Sequence, residues 1–346
     1  MLQFSNNFAL ISAIMLFCLL VCCESMPTAD KVKTVPADNY LDFKTSGPFQ
    51  AAGIQMIDLE EGYQVWTKRF GNNPDIKVLL LHGGPALTHE YMECFESYFP
   101  KAGIEFYHYD QLGSYYSDQP DDNDLWTLER FVDEVEQVRI GLGLDKSNFY
   151  ILGSSWGGIL GLEYALKYQE NLKGLIISNM TADFDKYEAY NAKLRKTMRP
   201  GLIDSFEYYE SREDFHNPVY ADLVFEKFYT KHICRFPTIE WPEPILRSFK
   251  HINQYVYEYI QGPSEFVPGG LLKGWSVWDR LGEIKTPTLM VGAKYDSMNP
   301  KEMEEMSKLV KNGSYLYCAN GSHLAMWDEQ EYYMNGVIDF INKVNN

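Results

Sequence analysis

Positive charge is scarce in this chain. The 346 residues include 31 Lys and Arg against 48 Asp and Glu, which gives a net charge of −17 at pH 7. Proteins that bind DNA or RNA need clustered Lys and Arg to neutralise phosphates, so this balance argues against a nucleic-acid partner. A strongly negative surface keeps a protein soluble, and it mildly favours substrates that carry a free amine.

Cysteine is also sparse, and ligand clusters with metal-site spacing are missing. Six cysteines occur, and three of them lie in the first 23 residues. Cys94, Cys234 and Cys318 remain, and three cysteines can form one disulfide at most. No C-x-x-C or Cys/His cluster has the spacing of a metal site, so we expect no metal and no other cofactor.

Charge is absent from the beginning of the chain. No charged side chain precedes Glu24, and residues 8–23 are apolar except for Ser12. This run is short for a membrane-spanning helix and suits the apolar region of a signal peptide. We therefore expect residues 1–25 to be a signal peptide or a lipid or membrane anchor, followed by a linker at 26–50. The protein is then secreted, periplasmic or membrane-tethered.

Short apolar runs alternate with helical patterns through most of the chain. Residues 77–81 (KVLLL) form an apolar run between polar residues, which is typical of a strand buried on both faces. Other strand patterns occupy residues 54–58, 63–70, 104–109, 150–152, 175–178, 287–292 and 314–318. Helical patterns occupy residues 90–98, 128–140, 159–168 and 329–344, with another beginning at 301. This alternation predicts an α/β fold with a mostly parallel, doubly wound sheet.

The alternation stops between residues 181 and 279. This stretch has no buried-strand run, and it holds 20 aromatic residues among its 99 positions. Such enrichment favours a helical insertion with an apolar underside over a flexible linker. We predict a helical cap at 181–279, inserted between two parts of an α/β core at 51–180 and 280–346.

A nucleophile motif follows the fifth strand pattern, at residues 150–152. Residues 153–157 (GSSWG) fit G-x-S-x-G with Ser155 at the centre, and a helical pattern begins directly afterwards. In this motif the serine lies on a sharp strand-to-helix turn that exposes its Oγ. The motif also arises by chance in plain glycine-rich turns, so further residues must support Ser155 as a nucleophile.

The residues that a serine nucleophile needs occur in the expected order. In α/β-hydrolases the serine is followed along the chain by an acid and then by a histidine, each after a strand. Asp296 follows the strand pattern that ends at residue 292, and His323 follows the next one. These positions predict a catalytic triad of Ser155, His323 and Asp296.

Acyl transfer also requires hydrogen-bond donors for the oxyanion. The N–H of Trp156, the residue after the nucleophile, is one expected donor. The other is expected from the loop after an early strand, where residues 82–85 read HGGP. This places the second donor at Gly83 or Gly84.

Together these segments resemble the prolyl aminopeptidase (proline iminopeptidase) family of α/β-hydrolases over about residues 50 to 345. The resemblance rests on residues 82–85 (HGGP), 110–114 (DQLGS) and 153–158 (GSSWGG), and on the Asp296 and His323 segments. Residues 262–266 (GPSEF) and 278–281 (WDRL) are similar to the branch of tricorn-interacting peptidases. The resemblance implies release of an N-terminal residue, often proline, from short peptides with a free N-terminus.

Two positions depart from the pattern of the family. Ala86 stands where the family has the last glycine of HGGPG, and Ser297 follows Asp296 where the branch has a glutamate that helps to hold the substrate amine. Glu265, which matches a cap glutamate of the branch, is then the main expected anchor for the amine.

Two other functions stay open at this point. A serine esterase or amidase of the same fold, acting on small acyl substrates, would use the same triad, because fold and triad do not determine the substrate. A binding protein with a hydrolase-like fold is the second alternative, and the presence of all three triad residues argues against it.

Overall fold

The computed structural model describes residues 53–346, and eight strands of this part form one sheet. The predicted signal or anchor segment at 1–25 and the linker at 26–50 lie outside the described residues. The strands are β1 Ile54–Asp58, β2 Gln64–Phe70, β3 Lys77–Leu81, β4 Glu105–Asp110, β5 Phe149–Ser154, β6 Gly174–Ser178, β7 Thr288–Ala293 and β8 Gly313–Cys318. Each strand pattern in the sequence corresponds to one of these strands.

The sheet is antiparallel at one edge and parallel elsewhere. Its strand order is β1-β2-β4-β3-β5-β6-β7-β8. β1 pairs antiparallel with β2, and β2 pairs antiparallel with β4. All pairs from β4 to β8 are parallel. The α/β class and the mostly parallel sheet predicted from the sequence are confirmed.

Helices connect the strands. The α-helices are α1 Leu128–Gly141, α2 Trp156–Tyr168, α3 Phe184–Lys196, α4 Pro200–Glu210, α5 Pro218–Val224, α6 Thr230–His232, α7 Glu243–Lys250, α8 Gln254–Gln261, α9 Pro300–Leu309, α10 Ala325–Asp328 and α11 Gln330–Asn345. A π-helical turn at Phe225–Tyr229 joins α5 to α6. Shorter 3₁₀ segments lie at His89–Ser97, Pro100–Ala102, Asn123–Leu125, Gln169–Asn171, Thr238–Glu240, Gly270–Leu272 and Trp278–Glu283.

Side-chain caps explain where several helices begin. The side chains of Thr127, Asp183 and Asn299 accept hydrogen bonds from backbone N–H groups in the first turns of α1, α3 and α9. Such caps satisfy donors that have no partner inside the helix. Thr88 caps the segment predicted as a helix at 90–98, which is a 3₁₀ helix in the structure.

The sheet separates two apolar layers, because successive strand residues face opposite sides. In β3, Val78 and Leu80 pack on the side that carries the 3₁₀ helix at His89–Ser97 and α11. Leu79 and Leu81 pack on the other side with α1, α2 and α9. The central strands are therefore covered on both faces, as their apolar sequences predict.

The chain between β6 and β7 forms α3 to α8 and contributes no strand to the sheet. Its aromatic residues Phe206, Phe228 and Phe266 belong to the apolar layer on the α11 side of the sheet. The proposed boundaries of the cap (181–279) and of the two core parts (51–180 and 280–346) remain predictions.

Two further findings concern the described residues. Cys94, Cys234 and Cys318 are buried free thiols. Within residues 53–346, no helix combines the length and the apolar character that crossing a bilayer requires.

Candidate active site

The predicted site residues follow strands whose carboxyl ends lie along one edge of the sheet. Ser155 comes directly after β5, Asp296 follows β7, and His323 follows β8. The loop that begins at His82 follows β3, which pairs in parallel with β5. Parallel pairing brings the ends of these strands together, so residues far apart in the chain become neighbours.

Ser155 lies at a tight turn between β5 and α2. Its backbone has φ 55° and ψ −124°, a conformation that non-glycine residues rarely adopt. The turn is held by a hydrogen bond from the Ser155 N–H to the carbonyl of Ser178 on the neighbouring strand β6, at 3.0 Å. The Gly158 N–H donates to the Ser155 carbonyl at 2.6 Å.

Two glycines permit this turn by allowing backbone segments to approach closely. A Cβ atom at Gly153 would lie 2.0 Å from the carbonyl oxygen of Gly157. A Cβ atom at Gly157 would lie 2.1 Å from the carbonyl oxygen of Leu81. Any side chain at either position would collide with main-chain atoms, which explains the glycines of the motif.

His323 and Asp296 are in direct contact. The His323 Nδ1 lies 2.8 Å from Asp296 Oδ1, and both side chains are buried. Burial by itself lowers the pKa of a histidine, but the adjacent Asp296 carboxylate favours the imidazolium form. The net result is that the pKa of His323 is raised above its ordinary value. Asp296 thus both orients the ring and stabilises its positive charge.

The two glycines predicted as oxyanion donors differ in whether their backbone N–H is already engaged. The Gly83 N–H donates to the hydroxyl of Tyr91 at 2.6 Å, so this donor is already engaged. The Gly84 N–H has no acceptor among the described residues. Trp156 is the first residue of α2, where backbone N–H groups have no partner inside the helix. Of the two predicted glycines, Gly84 is therefore the one with an available N–H.

A buried network holds this loop against the nucleophile turn. Burial lowers the pKa of His82 to about 4, so its ring is neutral at pH 7. Its Nδ1 donates to the Gly83 carbonyl at 2.8 Å, and its Nε2 accepts from the Gln111 N–H at 3.1 Å. The Gln111 side chain accepts from the Trp156 indole at 2.8 Å and donates to the His82 carbonyl at 3.0 Å. The Gly83 carbonyl belongs to the same peptide group as the Gly84 N–H, so this peptide group and the Trp156 side chain are joined in one hydrogen-bonded network.

One cavity of about 180 Å³ brings most of the predicted site residues together. It is lined by Ser155, His323, Gly83, Gly84 and Glu265. Its apolar walls come from the loop after β3, the end of α6, α7 with the residues after it, and the His323 loop. These residues are Leu87, Ile233, Ile245, Phe249, Ile252 and Leu324. Among the described lining residues there is one carboxylate and no Lys or Arg. The cavity therefore suits an apolar group that carries a positive charge.

Glu265 is that carboxylate, and hydroxyl groups surround it. The Tyr187 hydroxyl donates to Glu265 Oε2 at 2.6 Å, and the Tyr257 hydroxyl lies 3.4 Å from Oε1. Burial raises the pKa of Glu265 above its ordinary value, and these hydroxyls offset the effect only in part. The pKa values of Tyr187 and Tyr257 are themselves raised by burial, so both remain protonated donors at neutral pH.

The two positions that depart from the family pattern have clear locations. Ala86 has φ 55°, so it adopts the left-handed conformation that glycine accepts more readily. The Ser297 side chain is buried beside Asp296, with its Oγ 3.4 Å from Asp296 Oδ1, and it does not line the cavity. Glu265 is consequently left without a second carboxylate among the described lining residues.

Sequence reasoning missed several contributors to the site, among them Tyr91, Asn179 and the tyrosines around Glu265. The Tyr91 hydroxyl accepts a hydrogen bond from the Gly83 N–H, and nothing in the sequence pattern indicates this contact. Asn179 contacts Asp296, and it directly follows β6 at the same edge of the sheet as the other site residues. The position after a buried strand was the signal that could have identified Asn179. No cluster of three or more His, Cys, Asp or Glu residues suited to a metal ion occurs in the described part of the chain.

Comparison with known proteins identifies the family. A family model described as alpha/beta hydrolase fold matches residues 77–330. The chain is 60% identical over 284 residues to a proline iminopeptidase from Flavobacterium johnsoniae, covering 82% of this chain and 95% of that protein. It is 52% identical over 285 residues to a proline iminopeptidase from Chitinophaga pinensis, again covering 82% and 95%.

Solved structures agree with these relatives. The crystal structure of VinJ matches with a TM-score of 0.79 at 29% identity, covering 84% of this chain and 98% of VinJ. A proline iminopeptidase from Mycobacterium smegmatis matches with a TM-score of 0.76 at 26% identity, with the same coverage of 84% and 98%. The resemblance to the proline iminopeptidase family is thereby confirmed, and the chain belongs to this family of α/β-hydrolases. The similarity to tricorn-interacting peptidases stays a prediction.

Proposed function

We propose that this protein is a serine aminopeptidase that releases an N-terminal residue, preferentially proline, from short peptides. The observation that carries the proposal is the single cavity lined by Ser155, His323 and Glu265. It joins a nucleophile and a base to a carboxylate that can pair with a terminal amine. Relatives that are 52% to 60% identical and are named proline iminopeptidase support the same activity.

In the proposed first half-reaction, Ser155 Oγ attacks the carbonyl carbon of the first residue. His323 takes the hydroxyl proton as the bond forms, and Asp296 stabilises the resulting imidazolium. The negative charge on the carbonyl oxygen is stabilised by the N–H groups of Trp156 and Gly84. The carbon–nitrogen bond then breaks, and His323 gives its proton to the departing amine of the shortened peptide.

In the second half-reaction, water hydrolyses the acyl-enzyme. His323 removes a proton from water as the water oxygen attacks the ester carbonyl, and the same two N–H groups stabilise the oxyanion. Collapse of this intermediate returns the proton to Ser155 and releases the free amino acid. No metal or other cofactor takes part in these steps.

Selection of an N-terminal residue is assigned to Glu265. A terminal ammonium that enters this cavity loses its hydration, and a buried charge without a partner costs several kcal/mol. Pairing with Glu265 avoids this cost, and an acylated N-terminus cannot form the pair. The apolar walls favour proline, but three buried ring methylenes supply at most about 2.4 kcal/mol at roughly 0.8 kcal/mol each. This supports a preference for proline rather than exclusive use of it.

The free amine is the property to test. We expect rapid hydrolysis of a proline arylamide and no cleavage of its N-acetylated form, with the Ser155→Ala variant as an inactive control. A fluorophosphonate should label the parent protein and not this variant. Equal turnover of the acetylated compound would instead favour the esterase or amidase, and failure to label Ser155 would favour a binding protein.

A glutamate substitution separates recognition from chemistry. Glu265→Gln removes the negative charge with little change in volume. We expect KM for amine-bearing substrates to rise at least tenfold, while hydrolysis of a simple ester such as p-nitrophenyl acetate stays close to the parental rate. A parallel loss of both activities would assign Glu265 a structural role.

We also propose that residues 1–25 direct the protein to the cell envelope or beyond it, as a secreted, periplasmic or membrane-tethered enzyme. The support is the uncharged apolar run at residues 8–23. Cell fractionation and intact mass of a protein with a C-terminal tag test this. A truncated or lipid-modified N-terminus outside the cytosol supports the proposal, and an intact chain in the cytosol contradicts it.

A further inference from the structure

Ser178, the last residue of β6, and Asn179, which follows it, hydrogen-bond to all three parts of the proposed triad. Their partners are Ser155, Asp296 and the residue before His323. The carbonyl of Ser178 accepts the Ser155 N–H at 3.0 Å. The Asn179 side-chain amide donates to Asp296 Oδ2 at 2.7 Å. The same amide nitrogen donates to the carbonyl of Ser322, the residue before His323, at 3.2 Å. One segment thus links the nucleophile turn, the acid and the loop that carries the base.

The backbone of Asn179 has an unusual conformation that the surrounding residues hold in place. Its φ is 57°, in the left-handed region that asparagine adopts more readily than most residues. The Asn179 N–H donates to the Val291 carbonyl on β7 at 3.0 Å, and the residue is fully buried. A conformation of this kind persists when its surroundings determine it, and it often occurs at functional sites.

The hydrogen-bonding groups of the Asn179 side chain are all used. Its amide nitrogen donates both hydrogens, to Asp296 and to Ser322, and its Oδ1 accepts from the Ser178 hydroxyl at 2.9 Å. The Ser178 hydroxyl in turn accepts from the Tyr333 hydroxyl on α11 at 2.9 Å. An inverted amide would place an oxygen against the Asp296 carboxylate, so this network determines the orientation of the amide.

The two oxygens of Asp296 have different partners. Oδ1 faces His323 Nδ1 at 2.8 Å and also accepts the Met298 N–H at 3.0 Å. Among the described residues, Asn179 alone donates to Oδ2. Because Asp296 is fully buried, loss of this donor leaves Oδ2 without a partner and removes one of the hydrogen bonds that orient the carboxylate.

We propose that Asn179 is a positioning residue that holds Asp296 against His323 and fixes the His323 loop relative to the nucleophile turn. The proposal rests on the proposed function, since it assigns Asn179 to the same triad. Asn179 does not line the cavity, so its removal should leave substrate binding largely unchanged. Small displacements of reacting groups reduce the rate of chemistry strongly.

The main test is Asn179→Gly, which removes both donors and accepts the left-handed backbone. We expect kcat for a proline arylamide to fall by about tenfold or more, with KM within about twofold of the parent value. We also expect the downfield NMR signal of the His323 Nδ1 proton, observed with ¹⁵N-histidine labelling, to broaden or disappear. If the glycine variant does not fold, Asn179→Asp keeps the size and backbone preference while replacing the amide donors with a carboxyl group, and the same kcat loss is expected.

Thr288→Val is the matched control. Thr288 is buried at the other end of the sheet, where its hydroxyl donates to the Thr286 carbonyl at 2.8 Å. This variant should lower the unfolding temperature without changing kcat or the His323 signal. Parental kcat and an unchanged signal in the Asn179 variant would overturn the proposal, as would an equal kcat loss in the control. If the parent protein released no N-terminal residue, the proposed function would fail, while the NMR comparison would still decide the role of Asn179.

Discussion

At the scale of single residues, Glu265 shows how a carboxylate can remain available inside an apolar cavity. Desolvation disfavours its charged form, and the hydroxyls of Tyr187 and Tyr257 supply hydrogen bonds that stabilise the charge. A substrate ammonium would complete this arrangement with an opposite charge. Ser297, where the resemblance implies a second glutamate, is buried beside Asp296 and does not line the cavity, so the proposed pairing depends on Glu265.

The raised pKa of Glu265 predicts a pH dependence of substrate binding. Only the ionised carboxylate pairs with an ammonium, so KM should rise as the pH falls through the pKa of Glu265. Because that pKa lies above its ordinary value, the rise should begin at a higher pH than for an exposed glutamate. KM of a proline arylamide measured from pH 8 to pH 4 tests this.

The Glu265→Gln variant is the control for this pH dependence. Its KM should be high and nearly independent of pH, while its kcat keeps the acidic limb that belongs to His323. Protonation of His323 removes the general base, so kcat falls at acidic pH. Because the pKa of His323 is raised, this fall in kcat begins at a higher pH than for an ordinary histidine. A parental KM that stays constant across the range would contradict the role of Glu265.

Ala86 stands in the loop after β3 at a position where the resemblance implies a glycine. In the structure Ala86 adopts φ 55°, and its carbonyl accepts the Asn253 N–H at 3.0 Å. The left-handed conformation of an alanine is unfavourable by roughly 1–2 kcal/mol, which the surrounding contacts must offset.

At the scale of secondary-structure elements, the end of α6 joins the predicted cap to both catalytic loops. The His232 Nδ1 lies 2.9 Å from the Tyr295 carbonyl, next to Asp296, and the His232 carbonyl accepts the His323 N–H at 3.0 Å. The carbonyl of Ile233 accepts the Leu324 N–H at 2.8 Å. The position of this segment therefore influences the acid and the base together.

Removal of the His232 side chain should reduce turnover. His232→Ala deletes the contact with the Tyr295 carbonyl but keeps the backbone bond to His323. A hydrogen bond of this kind contributes about 0.5–1.5 kcal/mol, so we expect kcat to fall roughly two- to tenfold. Steady-state kinetics with a proline arylamide measure the effect.

His216→Ala is the matched control, because His216 is also in the predicted cap and its side chain is 74% exposed. This variant should keep the parental kcat. Equal kcat values in the two variants would contradict a link between α6 and the catalytic loops.

At the scale of the whole molecule, charge is the property that bears on function. The chain has a net charge of −17, and its cavity has no Lys or Arg among the described lining residues. A field of this sign attracts substrates with a free ammonium, and dissolved salt screens it.

Salt should therefore affect charged and neutral substrates differently. Between about 0.02 and 0.5 M NaCl we expect kcat/KM for a proline arylamide to fall roughly two- to fivefold, because the Debye length shrinks over this range. Hydrolysis of the neutral ester p-nitrophenyl acetate is the control and should change little. An equal salt effect on both substrates would show that the field does not act on the amine.

The amino-acid sequence by itself determined the α/β architecture, the strands and the order of Ser155, Asp296 and His323, because hydrophobic periodicity and turn motifs are local properties. Only the tertiary structure decided which backbone donor is free, Gly84 rather than Gly83, because Tyr91 reaches that loop from a separate helix. The place of Asn179 between Asp296 and Ser322 depends on contacts across 117 and 143 residues of chain. Such contacts arise from the packing of neighbouring strands, so local sequence patterns do not predict them.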